Sequence, residues 1–195
     1  MLNIYDFELD SEIYGPGKRM VIWMQGCMVR CKGCWNKEMW SMEPNQLYTV
    51  DKLFKMVKTQ ETIEGITLLG GEPLHQSGQL FEFCTKIKNI GLSVMLFTGF
   101  EIKEIEDENQ TRLLELADII VSGRYIEEER NIYLQWRGSE NQKVIFNTDK
   151  YKGYEAKEGN YCEITIDKSG SFTLSGFPEE DLLEELYKIY SGSDD

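Results

Sequence analysis

The sequence predicts an α/β fold built on a largely parallel sheet. Two observations predict it. Between residues 19 and 121, apolar runs of strand length alternate with stretches whose apolar residues recur at helical spacing. That alternation belongs to a parallel sheet with helices on its outer face. In addition, four turn motifs fall at the C-terminal ends of the apolar runs: a cysteine loop after Gln25, Gly70-Gly71-Glu72-Pro73, Thr98-Gly99-Phe100 and Ser122-Gly123. Sites on parallel sheets and barrels gather at that edge, so the four motifs predict one shared site.

Ile4–Leu9 alternates and is followed by Gly15-Pro16-Gly17, which is turn chemistry. Residues 19–25, Arg-Met-Val-Ile-Trp-Met-Gln, are nearly continuous in apolar character and read as the first buried strand. Thr49 is placed to cap a helix over 50–59, with Leu53, Phe54 and Val57 on one face. Gly65–Leu69 is a second buried strand. Ser77–Ile90 is a helix with the stripe Leu80, Phe81, Cys84, Ile87, closed by Gly91. Ser93–Thr98 is a third strand, two short helical stretches are expected near 101–107 and 110–117, and Asp118–Gly123 is a fourth strand and turn. Beyond it, Lys143–Phe146 reads as a strand and 148–160 as a polar surface loop. Tyr161–Ile166 and Ser171–Ser175 read as a hairpin about Lys168-Ser169-Gly170. Pro178–Tyr190 is an acidic amphipathic helix with Leu182, Leu183, Leu186, Ile189 and Tyr190 on its apolar side; the last five residues are of low complexity.

The 195 residues are 41% hydrophobic, enough for one domain with a core. No apolar run approaches the ~20 residues of a membrane span, and no signal-peptide pattern opens the chain, so a cytoplasmic protein is expected. The formal net charge of −13 argues against nucleic-acid or anionic-membrane partners, which need a basic surface. Residues 151–195 hold 4 basic and 11 acidic side chains, hence −7 of that charge.

Three of the five cysteines stand in Cys27-x3-Cys31-x2-Cys34. Thiolates at such spacing share a metal rather than a disulfide framework. Three of them on a cubic iron–sulfur cluster leave one iron open to bind and activate a small molecule. The competing reading is zinc, which needs a fourth ligand; His75, Cys84 and Cys162 are the candidates and lie on separate elements. Cys84 and Cys162 otherwise read as buried core thiols. His75 reads as a hydrogen-bonding turn residue.

Cys27-x3-Cys31-x2-Cys34 followed by Gly70-Gly71-Glu72-Pro73 resembles the radical S-adenosylmethionine (radical SAM) superfamily. Further stretches resemble, in order, the activases of glycyl-radical enzymes and among them the anaerobic ribonucleoside-triphosphate reductase activating type. They are Gly15-Pro16-Gly17-x-Arg19, Gly33-Cys34-Trp35-Asn36-Lys37, Val121-Ser122-Gly123-Arg124-Tyr125 and Trp136-Arg137-Gly138-Ser139-Glu140-Asn141-Gln142. The resemblance implies a partial (β/α)6 barrel over 1–147, with 148–195 as a hairpin and acidic helix packed on it. It implies a [4Fe–4S] cluster on Cys27, Cys31 and Cys34, and S-adenosylmethionine held near Gly70, Gly71, Glu72 and Thr98. Arg124 would lie near the cofactor carboxylate, Ser122 near its ribose and Trp35 against its adenine. One-electron cleavage would give methionine and a 5′-deoxyadenosyl radical, which would take a hydrogen atom from a glycine of a partner such as an anaerobic ribonucleotide reductase. The electron would come from a flavodoxin or ferredoxin. Two other readings stay open: a radical enzyme acting on another peptide or small molecule, and a non-catalytic iron–sulfur or zinc module that scaffolds a partner. The C-terminal 45 or so residues extend beyond the typical activase and read either as added core or as a docking element.

Overall fold

The computed structural model describes residues 1–157, 159–166 and 168–191. Seven strands form one open sheet in the order β3-β1-β2-β4-β5-β6-β7. They are β1 (Leu2–Ser11), β2 (Arg19–Met24), β3 (Gln46–Tyr48), β4 (Gly65–Gly70), β5 (Ser93–Thr98), β6 (Ile119–Ser122) and β7 (Lys143–Phe146). β2, β4, β5 and β6 are parallel, while β1, β3 and β7 run antiparallel to their neighbours. The expected (β/α)6 barrel is therefore not formed: four strands are parallel, and β3 and β7 end the sheet as edges instead of meeting.

The crossovers between parallel strands are α1 (Val50–Lys58), α2 (Ser77–Asn89) and α3 (Glu108–Leu116). Thr49 caps α1, its hydroxyl accepting from Lys52 N at 3.2 Å, and Asp107 caps α3 in the same way. That cap starts the helix at 108, so the first helical stretch expected after β5 shrinks to a 3₁₀ turn, Ile102–Glu104. Alternate strand residues (Met20, Ile22, Ile66, Leu68, Val94, Leu96) pack under the helices with Leu53, Leu80 and Ile87. In α2 it is Phe83, fully buried, that enters this core; Phe81 is half-buried beneath the Arg112 guanidinium, 4.1 Å from its ring. Cys84 is fully buried as expected. Cys162 is only partly buried, because it sits on the hairpin and not in this core.

On the other face of the sheet Met95, Ile119 and Val121 pack with Trp136 and Tyr151. Arg19 fills its lower end, fully buried, donating to Thr67 Oγ1 at 2.7 Å, Ser93 Oγ at 2.8 Å and Pro16 O at 3.2 Å. A Cβ on Gly15 would lie 2.5 Å from Arg19 Cδ, so the Gly-Pro-Gly turn leaves room for the guanidinium to fold beneath the sheet. Higher up, the hairpin β8 (Cys162–Ile166) and β9 (Phe172–Gly176) leans against β1. Ser11 Oγ donates to Glu163 Oε2 at 2.7 Å, Ser175 Oγ donates to Glu8 Oε1, and Gly176 N donates to the Tyr14 hydroxyl at 3.0 Å. The hairpin leads into α4 (Glu180–Ser191). Leu182, Leu183 and Leu186 are half-buried there, whereas Ile189 is 78% exposed, so the expected apolar stripe is covered only along its first turns. The side chain of Tyr190 and residues 192–195 lie outside the described residues. Among those described, no helix is long and apolar enough to cross a membrane.

Candidate functional site

One cavity of about 1340 Å³ lies between the sheet and the hairpin and reaches the C-terminal strand ends. Its lining includes Cys27, Cys31, Cys34, Trp35, Gly70, Gly71, Glu72 and Thr98, so the structure brings together eight of the ten residues singled out from sequence. The other two are placed elsewhere. Ser122 is buried but shares the parity of Ile120, whose side chain is under the helices, so it does not line the cavity. Arg124 is exposed outside the cavity. Its Nη1 donates to Glu104 Oε1 at 2.9 Å and Oε2 at 2.8 Å, which commits the cation to a protein carboxylate.

The cysteine loop leaves the end of β2 and is held from both sides. Gly26 N donates to Met39 O at 2.8 Å, and Cys27 N donates to Trp40 O at 3.2 Å. On the other side Gly71 N donates to Met24 O at 2.8 Å and Glu72 N to Gly26 O at 2.9 Å. A Cβ on Gly71 would sit 2.5 Å from Gly26 O, so only glycine lets the turn after β4 lie this close to the cysteine loop. The Gly71 N–H is thus taken up by the Met24 carbonyl. His75 is the turn residue expected: its Nε2 accepts from Met28 N at 3.1 Å, and burial lowers its pKa, consistent with that neutral acceptor role.

Glu72 is fully buried. Its Oε1 accepts from Leu74 N at 3.0 Å and Thr98 Oγ1 at 2.9 Å, and its Oε2 from Gly99 N at 2.8 Å. It thus locks the turn after β4 to the end of β5. Burial pushes its pKa up to about 7, opposed by those three donors. The late Gly-Ser-x-Asn-Gln stretch is a second brace, whose role was not legible in sequence. Gln142 Nε2 donates to Gly123 O at 2.9 Å, Asn141 Nδ2 donates to Arg124 O at 2.8 Å, and Ser139 Oγ accepts from Ile126 N at 3.2 Å. These amides fix the chain as it leaves β6.

The donor set fits a cluster. Among the described residues no three His, Cys, Asp or Glu side chains are close enough to share one metal ion. A cubic cluster asks for a different arrangement: thiolates on separate irons, set apart around a pocket. Cys27, Cys31 and Cys34 all face the same cavity, and backbone N–H groups of Val29 and Arg30 point at Cys27 and that of Tyr125 at Cys31. Burial raises the pKa of the Cys27 and Cys31 thiols, and these N–H donors oppose it, as they would stabilise ligating thiolates.

The fold and this cysteine site define a single-cluster iron–sulfur domain, and a family described as "4Fe-4S single cluster domain" matches residues 13–145. The anaerobic ribonucleoside-triphosphate reductase-activating protein of Vibrio cholerae is 31% identical over 151 residues, covering 73% of this chain and 97% of its own. That of Enterobacteria phage T4 is 31% identical over 150 residues, covering 70% and 89%. Among solved structures, QueE from Escherichia coli overlaps 62% of this chain and 69% of its own, at 17% identity and a TM-score of 0.42. The chain belongs to the family of anaerobic ribonucleoside-triphosphate reductase-activating proteins.

Proposed function

We propose that this chain is a radical SAM activase that installs a glycyl radical on an anaerobic ribonucleotide reductase, drawing its electron from a flavodoxin or ferredoxin in the cytoplasm. One observation carries the reading: the three cysteines, the Gly70-Gly71 turn and Thr98 reach one cavity from three adjacent parallel strand ends. Cys27, Cys31 and Cys34 would hold a [4Fe–4S] cluster. The chemistry supplied by the bound cluster and S-adenosylmethionine is one-electron cleavage of a carbon–sulfur bond, giving methionine and a 5′-deoxyadenosyl radical able to take a hydrogen atom from glycine.

The chain's own residues bind, orient and exclude water. Gly70 and Gly71 would present backbone groups to the cofactor's ammonium group. Glu72 keeps that turn and the end of β5 at fixed separation, and Thr98 is locked to it. Trp35 stands beside the cysteines as an apolar wall for the nucleoside. Arg124 pairs with Glu104 through Nη1 alone, so its Nε and Nη2 donors would still serve the cofactor carboxylate, and Ser122, on the helix side of the sheet, would reach the ribose only if its strand end shifted.

Anaerobic reconstitution tests the reading. The protein should take up about four irons and release 5′-deoxyadenosine when reduced with S-adenosylmethionine. Replacing Cys27, Cys31 or Cys34 by Ala should abolish both, while Cys84→Ser and Cys162→Ser keep them. Loss of iron in either serine variant would overturn the three-cysteine assignment.

A further inference from the structure

The family match ends at residue 145, yet the cavity does not. Thr165, Thr173, Leu174, Ser175, Gly176 and Phe177 line the same space as the three cysteines, from the side opposite the sheet. The hairpin is fixed in this position by its three polar contacts to Glu8, Ser11 and Tyr14. Gly176 takes a φ of +102°, and a Cβ there would meet Tyr161 O at 2.5 Å, so the chain turns tightly where it delivers Phe177. The Phe177 ring meets Trp35 edge-on, with centroids 5.5 Å apart and planes at 87°, while the Arg130 guanidinium lies 5.1 Å from the Trp35 ring centre. Trp35 comes directly after Cys34. A residue beyond the matched domain therefore holds an aromatic side chain at the cluster loop.

The volume between sheet and hairpin exceeds what one small ligand needs. Sites for such ligands occupy roughly 300–1,000 Å³, against about 1340 Å³ here. Away from the cysteines and the Gly70-Gly71 turn, the same cavity continues between Trp23 and Phe97 on the sheet and Leu174 and Phe177 on the hairpin. We propose that the hairpin is the upper wall of the slot that receives the partner's glycine-bearing segment, with Leu174 and Phe177 as specificity-determining contacts and Phe177 also the positioning residue for Trp35. An extended polypeptide segment matches this slot: it is thin, it presents side chains to a floor and a roof in turn, and a glycine in it exposes Cα without a side chain in the way. The inference rests on the proposed function for the partner's identity, but not for the Phe177–Trp35 contact.

Two measurements on the iron-free protein test it. In Phe177→Ala, amide exchange across residues 31–36 should rise at least about fivefold with β4 and β5 unchanged, and Phe177→Tyr should restore it. Unchanged exchange in 31–36, or a rise across the whole sheet, would overturn the positioning role. The second probe is the anaerobic ribonucleoside-triphosphate reductase of the same organism. Leu174→Ala and Phe177→Ala should each weaken its binding about fivefold or more, with recovery in Phe177→Tyr. In the reconstituted protein, the KM for the reductase should rise at least fivefold more than the KM for S-adenosylmethionine. If wild-type binds the reductase and the variants bind it equally well, the slot is not where the partner enters. If wild-type does not bind it while 31–36 still responds to Phe177, the partner assignment fails and only the positioning role stands. Should Phe177→Ala not fold, Leu174→Ala and Phe177→Leu decide the same points.

Discussion

Glu72 is a carboxylate taken out of water and given three donors in return. Sequence pointed to it through the Gly-Gly-Glu-Pro turn; burial makes it a brace. Its pKa in the fold, about 7, lies above its ordinary value of 4.5. The folded state therefore binds more protons than the unfolded state between those values. The stability it contributes is full below about 4.5 and falls as pH rises toward 7, then levels off. Thermal melts of the iron-free protein should accordingly show a lower melting temperature at pH 8 than at pH 5. Glu8, also pushed up to about 7 by burial and by Glu163 and Asp6, adds to the same slope. Glu72→Gln should flatten part of it. It should also cost about 1–3 kcal/mol, because an amide whose oxygen serves Leu74 and Thr98 turns an NH₂ toward the Gly99 N–H. An unchanged slope in that variant would mean that Glu72 is not the titrating group.

At the scale of elements, the cysteine loop and the turn after β4 are one unit, joined through Gly26 and Gly71. A Cβ added at Gly71 strikes the Gly26 carbonyl at 2.5 Å and must push the cysteine loop itself. Gly71→Ala should lower iron uptake severalfold with the far-ultraviolet dichroism unchanged, and full iron content would show that the loop yields without cost. The parallel strands around this unit were legible because they are buried on both faces and so read as continuous apolar runs. The Thr49 cap was legible because its hydroxyl acts on a near neighbour in sequence. β3 was not, having three residues at an edge and no apolar run. Neither was the antiparallel direction of β7, which the short run Lys143–Phe146 does not encode. Among the residues singled out, the cysteines stood out by their spacing and the glycine turn by its composition, while Trp35 followed from the resemblance; all of them line the cavity. Ser122 lies off the cavity because one residue of strand parity decides which face a side chain takes. The pairing of Arg124 was not legible because its partner, Glu104, lies on a different element.

For the molecule as a whole, charge and shape separate two parts of the C-terminal segment. Tyr151 closes the lower end of the sheet, its hydroxyl 2.8 Å from Ser93 Oγ, and Thr148 Oγ1 donates to Asp118 Oδ1 at 2.7 Å. The hairpin then walls the cavity. Cutting the chain after Asn147 would remove these contacts together, so loss of stability there would say nothing about docking. A cut after Pro178 separates them, because it keeps the hairpin and Phe177 and removes only residues 179–195, α4 among them. That helix holds Asp181, Glu184 and Glu185, is preceded by Glu179, and leaves Tyr187 at 70% and Ile189 at 78% exposure. Glu179 is tied to the body by the Tyr133 hydroxyl at 3.0 Å. A surface of this charge steers a basic patch on a partner, and the steering fades as salt shortens the screening length from ~30 Å at 0.01 M to ~3 Å at 1 M. The protein ending at Pro178 should melt within a few degrees of the full chain and keep its iron. Its association rate with the reductase should be lower at low salt and vary less with ionic strength, while its dissociation rate changes little. Stopped-flow association across that salt range measures both slopes. Equal slopes would mean that α4 does not guide the partner and that the net charge serves solubility alone.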